Sequence, residues 1–237
     1  MPARWRLFVA RRCFCGQKPT AAMKYNTIIF DFDGTLADTQ EGLTKGFQKG
    51  LAAFGVQESL ENIKALIGPP LTTTIKTKYG FSDADAAVAM KICEDYQLGE
   101  GVAEVRFFEG IPQLLDGLKA LGLHIALATN CPATTAHGQI EFLGLGKWLD
   151  VIETNNDAQT RGSKADFIRW AMQHCGSTPA QCLMVGDRKN DLEGGRQNGT
   201  DTAGVLYGYG SRQELAACAP TFLCATPQEL LQAIQNA

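Results

Sequence analysis

The sequence predicts an α/β protein: a Rossmann-like core with a parallel sheet between two helical layers, and a small helical cap domain inserted after the first strand. Three observations predict it. An apolar, β-branched run, Thr27–Phe30, stops abruptly at Asp31-Phe32-Asp33-Gly34-Thr35, as a buried parallel strand does where it runs out into a loop. From residue 39 to about 106 the pattern is helical, with no clear strand. Beyond it strand and helix alternate, which gives a parallel sheet covered by helices.

Taken in order, the helical stretch begins with Leu43, Phe47, Leu51 and Phe54 recurring at helical spacing. Gly68-Pro69-Pro70 punctuates it, and Ser82 with Asp85 forms a capping box for the helix that carries Val88 and Ile92. The alternating part then reads as helix 111–121, strand 124–128, helix 134–143, helix 164–174, strand 182–185, helix 189–198 and strand 203–206. Ser211 with Glu214, and Thr226 with Pro227 and Glu229, open two late helices. The expected organisation is a core of residues 23–38 and 107–237, a cap of residues 39–106, and a separate leader, residues 1–22.

Composition bounds the partners. With 237 residues, 45% of them hydrophobic and 20% charged, the chain is of ordinary globular type, and its apolar runs are too short to cross a bilayer. A net charge of -3, with no dense basic stretch after the N-terminus, argues against a surface for duplex nucleic acid and leaves a small molecule as the expected partner. The eight cysteines show no C-x-x-C pair and follow no secretory signal, so reduced thiols and a cytoplasmic location are expected, as monomer or homodimer. Cys13 and Cys15 lie close together, but His124, His137 and His174 stand at no zinc-ligand spacing.

The leader holds Arg4, Arg6, Arg11, Arg12 and Lys18 and no acid, leaving 17 basic against 25 acidic residues in the rest of the chain. A targeting peptide is one reading, although the apolar run at residues 7–10 is too short for a signal-peptide core. The preferred reading is a disordered extension or an upstream start, with Met23 as the natural beginning.

Three expected strand exits carry polar residues in apolar surroundings: Asp31 and Asp33, Thr129 and Asn130, and Gly186 with Asp187. Neighbouring parallel strands would bring them together at the edge where ligands bind in open α/β sheets. Asp191, four residues past Asp187, lies one helical turn on. Four converging carboxylates repel one another unless a cation joins them, and hard oxygen ligands without histidine or thiolate point to Mg²⁺. A carboxylate attacking a phosphate dianion needs the same help, from a divalent ion and from an ammonium such as Lys164. Taken singly, each of these residues is an ordinary turn, cap or solvated helix start; it is their joint placement that argues for a site.

At these residues the sequence resembles the haloacid dehalogenase-like hydrolase superfamily. Its Asp-x-Asp-Gly-Thr motif is matched by Asp31 to Thr35. Its second motif is matched by the strand ending in Thr129-Asn130, its lysine by Lys164, and its Gly-Asp-x-x-x-Asp motif by Gly186, Asp187 and Asp191. The resemblance covers the chain from about Met23 and implies a phosphatase using an aspartyl-phosphate intermediate. In it Asp31 is the nucleophile, Asp33 the general acid and base, and Thr129 and Lys164 hold the phosphoryl group, with Gly34 and Asn130 beside them. Mg²⁺ is bound by Asp31, the main-chain carbonyl of Asp33 and Asp187, with Asp191 in or beside the shell.

Many members have proline after the lysine, where this chain has Ala165, so Arg161 remains an alternative cation. Asp33 argues for phosphate esters rather than dehalogenation. A sugar-phosphate mutase, a receiver domain and a catalytically dead scaffold are weaker alternatives. The position of the insertion, the re-entry at Phe108-Glu109-Gly110-Ile111 and the segment Val205-Leu206-Tyr207-Gly208-Tyr209-Gly210 are similar to the phosphoglycolate phosphatase branch, whose members also hydrolyse pyrophosphate or nucleoside monophosphates. The implied partner is a small phosphorylated metabolite. Gly68 and Thr72, Thr73 and Thr74 are the candidate cap contacts.

Overall fold

The structure, a computed structural model, describes residues 23–67, 71–156 and 160–237. The leader with Cys13 and Cys15, and Gly68 in the cap, therefore lie outside the described residues. The apolar run forms strand β1 (Thr27–Phe30), every residue of it buried. It is the third strand of a six-stranded parallel sheet in the order β5-β4-β1-β6-β7-β8. The other strands are β4 (His124–Pro132), β5 (Val151–Asn155), β6 (Cys182–Gly186), β7 (Asp201–Val205) and β8 (Phe222–Cys224).

Alternation along β1 supplies both faces of the sheet. Ile28 and Phe30 join Ile125, Leu127, Leu183 and Val185 on one side, under helices α5 (Ile111–Ala120), α6 (Ala133–Leu143) and α10 (Pro227–Gln235). Ile29 points the other way, to Ala126, Met184 and Phe167 beneath α7 (Lys164–Cys175), whose layer is continued by α8 (Lys189–Gln197) and α9 (Arg212–Ala217). The expected late caps are present: Ser211 accepts from Glu214 N and Thr226 from Glu229 N.

Between β1 and α5 the chain forms α1 (Gln40–Ala52), α2 (Leu60–Lys64), α3 (Leu71–Tyr79) and α4 (Asp83–Leu98). They pack around a separate buried cluster that includes Phe47, Leu51, Ile63, Ile75 and Cys93. Ser82 caps α4 through Asp85 N. The expected apolar face of α1 fails at Phe54, which is 38% exposed because the helix ends at Ala52; its ring packs at a tilt against Phe81 instead. Val88 is exposed on the outer face of α4.

Two strands enter and leave this segment, β2 (Ala37–Asp38) and β3 (Arg106–Phe107). They pair antiparallel, with Asp38 opposite Arg106 in an ion pair. This ribbon, β5 and β8 have no counterpart in the expectations from sequence. β5 and β8 are edge strands of five and three residues, and β2 and β3 have two each, too short for an alternation to register. Among the described residues no helix is long and apolar enough to cross a membrane.

Candidate active site

Register builds the site. Phe30 lies opposite Leu127 on one side and Val185 on the other, so Asp31, the first residue past β1, stands level with Ala128 and Gly186, the residues just before Thr129 and Asp187. Asp31 N still donates to Val185 O at 2.9 Å, which fixes the first residue of the loop. The Asp31 side chain then meets Lys164, the first residue of α7, whose entry is held by a reciprocal capping box between Ser163 and Asp166. Lys164 Nζ donates to Asp31 Oδ1 at 2.5 Å and to Ala128 O at 2.9 Å, and pairs with Asp191 Oδ1 at 2.9 Å. Two of the ammonium's N–H bonds are thus given to Asp31 and Ala128, and Asp191 adds a second carboxylate charge beside it.

Asp187 follows β6 and is fully buried. Thr35 Oγ1 donates to its Oδ1 at 3.2 Å and Tyr209 N to its Oδ2 at 2.8 Å. The chain passes very near it: a Cβ on Gly34, where φ is 84°, would stand 2.3 Å from Asp187 Oδ2, and one on Gly210 would stand 1.8 Å from Asp187 O. Asp191 caps α8 by accepting from Arg188 N at 3.0 Å. Ligand oxygens of Asp31, Asp187 and Asp191 lie within 4.8 Å of one another.

The electrostatics follow from crowding. Burial, then the charges of Asp191 and Asp31, push the Asp187 carboxyl up to about 8. Asp191 is pushed up to about 6, by burial against the opposing pull of Lys164. Burial also raises Asp31 and Asp33. Lys164 is raised despite its burial, because Asp191 and Asp31 hold its charge. One ammonium serves three buried acids and the half-buried Asp33, and the donors are hard oxygens, so the set fits a divalent cation of the Mg²⁺ kind. Asp31, Asp187 and Asp191 would supply carboxylates. The Asp33 side chain stands outside that trio, which leaves its main-chain carbonyl as the atom the resemblance assigns to the metal.

Asp33 is held separately. Its Oδ1 accepts from Thr39 Oγ1 at 2.5 Å, at the residue that precedes α1. Thr39 N in turn donates to the Tyr209 hydroxyl at 2.8 Å, which donates to Asp38 Oδ1 at 3.1 Å. Sequence reading singled out neither Thr39 nor Tyr209 for a role. Their only local signal is the glycine pair Gly208 and Gly210, whose missing side chains admit Asp187.

Thr129 is buried in β4, where the pairing with β5 becomes irregular after Ala128, and accepts from Cys131 N at 3.0 Å, leaving its own O–H to donate. A cavity of about 470 Å³ opens above these groups, and Asp31, Asp33, Thr129, Asn130, Lys164 and Asp191 line it. Arg161, the alternative cation, is not among the lining residues. Its guanidinium is bound to Glu153 at 2.6 Å and Thr154 O at 2.7 Å, and stacks on Trp170. Of α3, Leu71 lines the cavity, whereas Thr72, Thr73 and Thr74 do not.

Comparison with known proteins agrees with this geometry. The chain is 36% identical over 217 residues to a 5′-nucleotidase of Pseudomonas aeruginosa, covering 91% of this chain and 98% of that protein. It is 32% identical over 211 residues to the tyrosine-protein kinase PtkA of Mycobacterium tuberculosis, covering 87% of this chain and 72% of that one. The crystal structure of a predicted phosphatase from Clostridium acetobutylicum superposes with a TM-score of 0.83 at 33% identity, over 90% of this chain and 99% of that one. The sequence pattern of the haloacid dehalogenase-like hydrolases matches residues 28–205, from inside the first strand to the end of β7, and the chain belongs to that family.

Proposed function

We propose that the protein is a Mg²⁺-dependent phosphatase that hydrolyses phosphomonoesters of small metabolites through an aspartyl-phosphate on Asp31. The observation that carries this reading is the approach of Lys164 and Asp191, on the first turns of α7 and α8, to Asp31 and Asp187 at the ends of the adjacent strands β1 and β6, with Asp33 beside them on its own support. Lys164 orients the Asp31 carboxylate and offsets its charge as a phosphate dianion arrives. An Asp31 oxygen attacks phosphorus, and the ester P–O bond breaks. The departing alkoxide takes the proton that burial favours on Asp33. Asp33 then removes a proton from water, which attacks the acyl phosphate; the P–O bond to Asp31 breaks, and inorganic phosphate and the free carboxylate return. Thr129 has an O–H to give a phosphoryl oxygen. Mg²⁺, held by Asp31, Asp187 and Asp191, would supply charge compensation for the transferring group.

The names of the relatives span nucleotide hydrolysis and protein phosphorylation, reactions that share transfer of a phosphoryl group. Hydrolysis is favoured here because Asp33 is poised to activate water. A phosphoglycolate-like substrate and a nucleoside monophosphate share this chemistry and differ in the charge of the leaving group. The test is phosphate release from a generic aryl phosphate: turnover with Mg²⁺, loss with a chelator and loss in Asp31→Asn support the reading. A wild-type protein inert with and without Mg²⁺ refutes it.

A further inference from the structure

The end of the cavity away from the acidic cluster is lined by Met90, Glu94 and Gln97 of cap helix α4 and by Thr135 of core helix α6. The reacting end is set within the core, by where α7 begins. Lys164 carries its ammonium on a flexible four-carbon stem, so the place of Nζ at Asp31 and Ala128 O depends on the place of the first residue of that helix.

An anchor stands just upstream, at Arg161. Its N donates to Asn155 Oδ1 at 3.0 Å, its Nη1 to Thr154 O at 2.7 Å and its Nη2 to Glu153 Oε2 at 2.6 Å, so main chain and side chain are both tied to β5. The guanidinium also lies over the Trp170 ring of α7, 4.5 Å from its centroid. Little slack separates this anchor from the helix. A Cβ on Gly162 would stand 3.0 Å from Trp170 Cη2 and 3.1 Å from Asp166 Cβ, and the box between Ser163 and Asp166 fixes the helix entry.

Glu153 is a buried acid that the reaction does not use. It is 3% exposed although β5 is an edge strand. In the register of the sheet it stands opposite Ala128, the residue whose carbonyl receives Lys164 Nζ. The acid that holds the anchor and the carbonyl that holds the ammonium thus share one rung of the sheet. The other carboxylate oxygen, Oε1, lies 2.7 Å from His174 Nδ1 in the last turn of α7. A buried ion pair often contributes little net stability once desolvation is counted, and what this one fixes is geometry.

We propose that the Arg161–Glu153 pair is a positioning device that acts through Lys164: it sets the start of α7 so that the ammonium meets the Asp31 carboxylate in the attacking geometry. Neither residue lines the cavity. This rests on the reading of Asp31 as the nucleophile.

The experiment measures kcat and KM with Mg²⁺ for p-nitrophenyl phosphate, together with Tm, in the wild type, Arg161→Gln, Glu153→Gln and His174→Ala. Arg161→Gln should lower kcat by about 30-fold with KM within about threefold, because a misplaced ammonium is felt chiefly in the transition state. Glu153→Gln should lower kcat by about tenfold, and decides the matter if Arg161→Gln does not fold. His174→Ala takes a partner from the same carboxylate without touching the anchor, and should leave kcat unchanged. In a Lys164→Met background, followed by single turnover with enzyme in excess, adding Arg161→Gln should cost less than about twofold, since the residue it acts through is gone. An unchanged kcat in folded Arg161→Gln overturns the proposal, as does a loss carried by KM, an equal loss in His174→Ala, or the full loss repeated on Lys164→Met. A wild type inert toward the aryl phosphate instead refutes the phosphatase reading itself.

Discussion

The two ends of the cavity are built differently. At the acidic end Asp31 and Asp187 leave the sheet at a fixed register, the groups are held by neighbours within 2.5 to 3.2 Å, and Asp187 is crowded by the chain where glycines admit it. At the far end the wall comes from separate helices, is largely apolar, and includes a hydroxyl with no partner. The acidic end is preorganised for one reaction, whose charge it must already match. The far end has polar capacity left for a leaving group. Changes at the first end should therefore remove catalysis, and changes at the second should redistribute it.

The largest effect is expected at Asp31. Asp31→Asn should lower kcat by at least about 10⁴-fold with the melting temperature nearly unchanged, since the uncatalysed reaction is among the slowest known. Steady-state assay with a thermal melt checks it. Next is Asp33→Asn, which should slow an alkyl phosphate about 100-fold more than an aryl phosphate, whose leaving group needs little protonation. Equal losses on both would make Asp33 structural.

A stability contrast sharpens the comparison. Gly210→Ala places a methyl group 1.8 Å from the Asp187 carbonyl oxygen, a backbone atom that cannot swing away, and should cost about 2–4 kcal/mol by denaturant titration and raise the Mg²⁺ requirement. Met90→Leu, at the far end, conserves volume and should cost under about 1.5 kcal/mol.

The same contrast explains what the sequence could reveal. Asp31, Thr129 and Asp187 were legible because each follows an apolar strand, and parallel pairing puts consecutive exits side by side. Lys164 was legible as the first residue of a well-capped helix. Thr39 and Tyr209 were not, because their roles depend on a contact across 170 residues of chain. Met90, Glu94 and Gln97 were not singled out, because the reading of their helix followed Val88 and Ile92. Thr135 had no signal at all, since being unpartnered is a property of the packed interface. The edge strands β5 and β8 were missed for want of length, and Phe54 was assigned to a helix that stops two residues earlier.

The smallest effect concerns the metal and pH. In metal-free protein the folded Asp187 carboxyl sits at about 8, above its ordinary value of 3.8, so the fold favours its protonated form. Its contribution to stability is then complete below the ordinary carboxylate range and is lost as pH rises toward 8. Mg²⁺ should take the place of that proton. Added Mg²⁺ should raise Tm by roughly 3–5 °C more at pH 8.5 than at pH 6. A pH-independent gain in thermal-shift experiments would separate Asp187 from metal binding.

The central claim, that phosphate passes through Asp31, is tested most directly by catching it there. The enzyme is mixed with excess phosphomonoester and Mg²⁺, quenched in acid within the first turnover, digested and analysed by mass spectrometry. The account requires one phosphoryl group, labile to hydroxylamine, on the peptide that contains Asp31, and none in Asp31→Asn. Rapid turnover with that peptide unmodified, or a phosphoryl group on another residue, would contradict it.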